Sequence, residues 1–202
     1  MNYLIKLVKN PKYFIVIPLQ VIRYIYNNIK FQKAGFGTRV ASQLILKNSK
    51  KIILGKNVML MPNSRIELVV KYSSVIFFPK LEIGDNSQVH QNCHITCAEN
   101  ITIGKNVVIV SNVTVTDIIH PYEDVSLPIN KSKIKTFPVS IGNESYIYNN
   151  SVILPGSKIG KHCVIGANSV VSGIIPDYSV VVGSPAQVIK SYNFETEQWE
   201  KV

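Results

Sequence analysis

From Ile141 onward an aliphatic residue recurs at every sixth position: Ile141, Ile147, Ile153, Ile159, Ile165 and Val171. Four residues after each of the first five stand Ser145, Ser151, Ser157, Cys163 and Ser169, all small. Neither a helix with a period of about 3.6 residues nor a strand alternating in twos produces this pattern. A coil of three short flat strands does. One bulky aliphatic per strand points inward, a small residue fits each tight corner, and stacked coils pair backbone to backbone about 4.8 Å apart. Glycine follows many of the aliphatics, as in Leu54-Gly55, Ile83-Gly84 and Ile103-Gly104, and Asn57, Asn86 and Asn106 fall two residues later, where a turn suits them.

Earlier coils keep the period in separate phases: Leu54, Leu60 and Ile66; then Ile83, Val89 and Ile95; then Ile103, Ile109 and Val115. The step from Val115 to Ile141 is 26 residues where six would close a corner, so an excursion of about twenty residues opens the coil there. Long loops on regular scaffolds carry function. The inserted loop is expected over residues 116–138.

Charge is unevenly spread. Residues 1–66 hold twelve Lys and Arg and no acid, while the remaining 136 residues hold ten basic and twelve acidic ones. The whole net charge of +10 therefore comes from the first third. Without an RNA-binding aromatic motif or a zinc finger, this asymmetry points to an anionic membrane surface and not to nucleic acid. The apolar stretch from Tyr13 to Ile22 is broken by Pro18 and Gln20, too short for the roughly 20 residues a bilayer span needs. No cleavage site follows it, so a signal peptide is not expected and a cytoplasmic location, peripheral to the membrane, is. Two short helices are expected, one before Pro11 with Leu4, Ile5, Leu7 and Val8 on a face, one after Pro18 with Leu19, Ile22, Ile25, Tyr26 and Ile29. Membrane docking of this basic amphipathic segment, residues 1–33, stands against simple packing on the main domain.

Through its six-residue period, the loop His120-Pro121-Tyr122-Glu123-Asp124 to Pro128-Ile129 and the segment Gly183-Ser184-Pro185-Ala186-Gln187-Val188-Ile189-Lys190, the chain resembles the hexapeptide-repeat acyltransferases, in particular the sugar and polysaccharide O-acetyltransferase branch. The resemblance covers residues 34–190. It implies a mainly β fold, a left-handed parallel β-helix with an N-terminal α-helical cap, followed by a tail over residues 191–202. It also implies a homotrimer with its active site between subunits, and acetyl-CoA as cosubstrate. The implied reaction is direct acetyl transfer to a hydroxyl of a capsule, O-antigen or exopolysaccharide sugar, the saccharide acceptor being free or lipid-linked.

The resemblance places His120 as the general base. A sugar hydroxyl is a poor nucleophile at neutral pH, and an imidazole with a reference pKa near 6.5 can take its proton and return it to the departing thiolate. Asp117, Glu123 and Asp124 are the local carboxylates that could orient the ring, Glu123 being preferred. Asn92 matches an asparagine that positions the acceptor or polarises the acyl oxygen, and a turn asparagine is the equal alternative. Tyr122, Asp117 and Tyr146 are assigned to the acceptor. Asn149, Ala167, Ser172, Gly173 and Lys190 are assigned to the coenzyme. The family's Trp-Ile-Gly after the loop is Tyr146-Ile147-Tyr148 here, and its second basic position in the closing segment is Gln187.

His90, Cys93, His94 and Cys97 have spacings that would share one helix face, but the repeat makes the stretch strand and corner, where the side chains diverge; no metal is expected. Three cysteines suit a reducing compartment, and direct transfer needs none of them as nucleophile. N-acetylation of an amino sugar or acylation of a small xenobiotic is the alternative enzyme reading. An inactive β-helix scaffold is the non-enzyme one.

Overall fold

A computed structural model describes residues 13–202. The chain winds into a parallel β-helix whose coils visit three flat faces in turn. The first face is a seven-stranded sheet starting at Lys33–Ala34, the second starts at Arg39–Val40, and the third, of six strands, starts at Ile45–Lys47. Register stacks the inward residues in columns. Ile103, Ile141 and Ile159 align on the first face, Ile109, Ile147 and Ile165 on the second, and Ile95, Val115, Ile153 and Val171 on the third. All of them are buried. Each such side chain removed from water contributes roughly 1.5–3 kcal/mol, so the period that marks the sequence is also what holds the coils together.

The corners explain the rest of the repeat. The small residues are not merely small: Ser145 Oγ donates to the Gly160 carbonyl at 2.9 Å and accepts the Cys163 N–H at 3.0 Å. Ser151 Oγ likewise donates to the Gly166 carbonyl at 2.9 Å. These buried hydroxyls satisfy backbone groups that the corner removes from the ladder. At the first corner, between the first and second faces, Asn57, Asn86 and Asn106 hold φ of 54°, 61° and 56°, and Asn57 Nδ2 donates to Asn86 Oδ1, as Asn86 Nδ2 does to Asn106 Oδ1, both at 3.1 Å. Asn112, Asn150 and Asn168 form the same amide ladder at the second corner. A Cβ on Gly142 would lie 2.4 Å from the Gly160 backbone, which is why the corner keeps glycine there.

Both excursions leave from the third corner, between the third and first faces. One is the expected loop. The other, residues 69–79, contains an antiparallel hairpin that pairs Lys71–Tyr72 with Val75–Ile76.

The two ends depart from expectation. The helix α1 runs Tyr13–Lys30 with Pro18 inside it, not starting after it. Pro18 sits in the second turn, so only one ladder bond, to residue 14, is lost, and the remaining turns carry the helix. The helix expected before Pro11 lies outside the described residues. At the other end, the segment expected as a tail carries the end of one strand, Ala186–Asn193, and a further strand, Gln198–Lys201, joined by a turn. Ala186–Asn193 pairs antiparallel with Ser179–Gly183, and Gln198–Lys201 pairs antiparallel with it in turn, covering the last strand of the second face. The boundary expected at 190 falls within a strand.

Candidate active site

The loop that carries His120 stands on a short ribbon. Ile118–Ile119 pairs antiparallel with Lys135–Thr136, and the Phe137 N–H donates to the Asp117 carbonyl at 2.8 Å. Asp117 roots the ribbon in the coil below. Its buried carboxylate accepts the N–H groups of Ala98 and Glu99 at 2.8 Å and of Asn100 at 3.0 Å. Burial pushes this carboxyl up and the three amides draw it back. Its assignment to the acceptor is therefore corrected: all its reach is spent on backbone amides of the preceding third corner.

His120 itself is exposed, with the Tyr72 ring packed edge-on at a centroid distance of 5.4 Å. Tyr72 comes from the shorter excursion, and its hydroxyl donates to the Asn130 carbonyl at 3.1 Å, tying the two excursions together. Below them lies a cleft of 270 Å³ bounded by His120, Tyr72, Lys71, Arg65, Glu67 and Thr96. Its floor is the outer surface of the third face, where register sets Lys47, Glu67, Thr96 and Thr116 in one row and Arg65, His94 and Thr114 in the next. Glu67 accepts from Lys47 Nζ at 2.6 Å and from Arg65 Nε at 3.1 Å, and these cations hold its carboxyl below the usual range. His94 Nε2 lies 2.9 Å from Thr96 Oγ1; burial first, then Arg65, pushes this imidazole's pKa down. The floor is rich in hydrogen-bonding groups of both kinds.

The carboxylate expected beside His120 is elsewhere. Glu123 pairs with Lys135 at 3.3 Å, and the two line a different cleft from the one beside His120. Asp124 is engaged by Ser126, whose N–H donates at 3.0 Å and whose hydroxyl donates at 2.6 Å. Glu123 as the orienting group is thus corrected. The ring's contact is Tyr72, which sequence reasoning missed. The available signal was the step from Ile66 to Ile83, 17 residues where six close a corner.

Asn92 does not reach this cleft either. It occupies the second corner with φ 60°, in line with Asn63, Asn112, Asn150 and Asn168, so the left-handed turn accounts for its identity. Tyr122 is 71% exposed on the loop. Tyr146 packs against Tyr148 with centroids 4.8 Å apart, beside Asn149 at the second corner. Asn149 and Ala167 are stacked there, the Asn168 N–H donating to the Asn149 carbonyl at 3.0 Å. Ser172 and Gly173 lie at the third corner, and Lys190 lies in the antiparallel strand opposite Val180. No atom lies within 4 Å of where a Gly173 Cβ would stand, and Ala167 is exposed, so both small residues face open surface. One chain thus gathers the coenzyme candidates Asn149 and Ala167 at one edge of the third face and His120 at the other.

The cysteines stay apart from this chemistry. Cys93, Cys97 and Cys163 are buried, and burial raises all three thiols, Cys93 to about 11. Cys93 and Cys97 point inward while His94 points out to Thr96, so the suspected ligand set diverges.

Residues 138–173 match the model of the bacterial transferase hexapeptide family (six repeats). The putative lipopolysaccharide biosynthesis O-acetyl transferase WbbJ of Escherichia coli is 38% identical over 134 residues, 63% of this chain and 66% of that protein. The chain belongs to the hexapeptide-repeat transferases. Among solved structures, a maltose O-acetyltransferase from Clostridium difficile 630 superposes with a TM-score of 0.59 at 29% identity, covering 73% of this chain and 79% of that one. A galactoside acetyltransferase in complex with coenzyme A superposes with a TM-score of 0.55 at 27% identity, covering 82% and 72%. As a hexapeptide-repeat transferase the chain takes the left-handed β-helix, against the right-handed preference of ordinary parallel crossovers. The family match begins where the His120 loop ends.

Proposed function

We propose that the protein transfers an acetyl group from acetyl-CoA to a hydroxyl of a surface-polysaccharide sugar, with His120 as general base. The observation that carries this reading is His120 held by Tyr72 over the floor of Arg65, Glu67 and Thr96. The sugar oxygen attacks the thioester carbonyl carbon as the imidazole takes the hydroxyl proton. The C–S bond then breaks, and the proton passes to the coenzyme thiolate. Base catalysis of this kind supplies roughly 10²–10⁴-fold, and holding both substrates together supplies much of the rest.

His120 and the Asn149–Ala167 edge belong to opposite ends of one face, whereas transfer needs them together. A homotrimer resolves this by setting the His120 loop of one subunit against the coenzyme edge of the next. The exposed apolar residues of the loop, Val125, Leu127 and Ile129, support such a neighbour. Asn149, Ala167, Ser172, Gly173 and Lys190 would line the coenzyme path, and Tyr122 and Tyr146 would meet the acceptor. No described helix is long and apolar enough to cross a membrane. The basic amphipathic N-terminal segment would instead rest on the cytoplasmic membrane surface, beside a lipid-linked acceptor.

The test is release of coenzyme A thiol from acetyl-CoA in the presence of free sugars, polysaccharides and lipid-linked sugars, with the product read by mass spectrometry. A base-labile O-acetyl ester on a glycan is expected. A base-stable amide as sole product, or no turnover with any glycan, contradicts the proposal.

A further inference from the structure

Helix α1 meets the coil along one side only. Asn28 clamps Ala34, donating from Nδ2 to its carbonyl at 2.9 Å and accepting its N–H at 3.0 Å, while Asn27 Nδ2 donates to the Thr38 carbonyl at 3.1 Å. Phe31, fully buried, plugs the end of the interior. The stripe of Leu19, Ile22, Ile25, Tyr26 and Ile29 faces away, with Ile29 67% exposed. Among the described residues, capping therefore uses the asparagine side and leaves the apolar stripe exposed.

At the Leu19 end of the stripe, between α1 and the first coil, there is a cleft of 570 Å³, bounded by Leu19, Gln20, Arg23, Phe36, Arg39 and Asn57. Leu19 belongs to both stripe and cleft, so the two surfaces are continuous. Arg23 comes from the helix and Arg39 from the first strand of the second face. Neither forms an ion pair among the described residues, and the first acidic residue of the chain is Glu67. Two guanidiniums share one cleft without an anion of the protein's own. Their planar forks match the oxygens of a phosphate, and the adjoining stripe matches acyl chains. A small soluble phosphate would satisfy the first surface and leave the second in water.

We infer that the Arg23–Arg39 cleft binds the phosphate headgroup of an anionic membrane lipid while the Leu19–Ile29 stripe enters the acyl boundary. This rests on the membrane contact proposed above and gives it a defined site. Full-length protein is sedimented with vesicles of phosphatidylglycerol or of phosphatidylcholine, alongside the variants R23Q/R39Q, K33Q/K51Q and I22S/I29S. Wild-type protein should prefer the anionic vesicles. R23Q/R39Q should weaken that binding roughly 10- to 30-fold, the size expected for two basic groups at an anionic surface. K33Q/K51Q, with the same charge removed outside the cleft, should lose clearly less. I22S/I29S should also bind weakly, at unchanged mass by analytical ultracentrifugation. Acetyl-CoA turnover on a soluble acceptor should be the same for wild type and R23Q/R39Q, which separates this site from the transfer reaction. Equal losses in the two charge variants would overturn the site and leave the membrane contact standing. No vesicle binding by wild type would overturn both, also if inorganic phosphate alone raised its melting temperature. A changed mass in I22S/I29S with vesicle binding intact would make the stripe an interface between copies and overturn the inference.

Discussion

Asp117 shows how a buried residue can support the His120 loop from below. Its carboxylate closes the corner at Ala98–Asn100 and so fixes where the ribbon bearing His120 leaves the coil. In Asp117→Asn the amide nitrogen would confront N–H donors in a buried site. The expected loss is about 2–3 kcal/mol in denaturant unfolding, with turnover lowered and acetyl-CoA affinity kept. A variant as stable as wild type would show that the three bonds carry no weight. His94 makes a prediction in pH. Its folded pKa lies below the unfolded value, so its neutral form contributes stability that is complete above about pH 6.5 and is lost as pH falls through the folded pKa. His94→Gln should flatten the decline in melting temperature between about pH 7 and pH 5; an unchanged slope would remove His94 as its source. Residue identity alone could not assign Asp117 or Glu123, because a carboxylate reads the same in sequence whether it faces amides, a lysine or a ring. Burial and direction decide that.

At the scale of elements, legibility followed the strength of the period. The inward columns, the corner glycines and the excursion after Val115 are all direct consequences of a six-residue repeat, and the structure places them as the repeat requires. The hairpin within residues 69–79 breaks the same rhythm, but its significance lies in Tyr72 meeting His120 across 48 residues of sequence, a contact no local pattern encodes. The C-terminal strands were hidden for another reason: they alternate in twos and turn antiparallel, outside the repeat altogether. For α1 the apolar stripe was legible, while the side that docks was not, since Asn27 and Asn28 look like solvent-facing residues. Asn28→Ala should strip two bonds from the first strand at a cost of about 1–2 kcal/mol, seen as faster amide hydrogen exchange at Ala34 than at Leu54. Unchanged exchange at Ala34 would mean that Phe31 alone caps the coil. Cutting the chain at Ala34 would also expose the first strand edge, which invites aggregation.

Over residues 13–202 the coil of three flat faces sets three surfaces apart along its length. The N-terminal end carries positive charge and an apolar stripe, the middle coils carry the His120 cleft, and the later coils carry the small residues expected to flank coenzyme A. In the homotrimer proposed above, a neighbouring subunit would bring the His120 cleft and these later coils together. The central claim is that His120 takes the acceptor's proton. It is tested most directly by His120→Ala, assayed for acetyl-CoA turnover with the best acceptor found and for acetyl-CoA binding by calorimetry. Turnover should fall by at least about 100-fold with the coenzyme dissociation constant unchanged within about twofold; turnover near the wild-type rate would contradict the account.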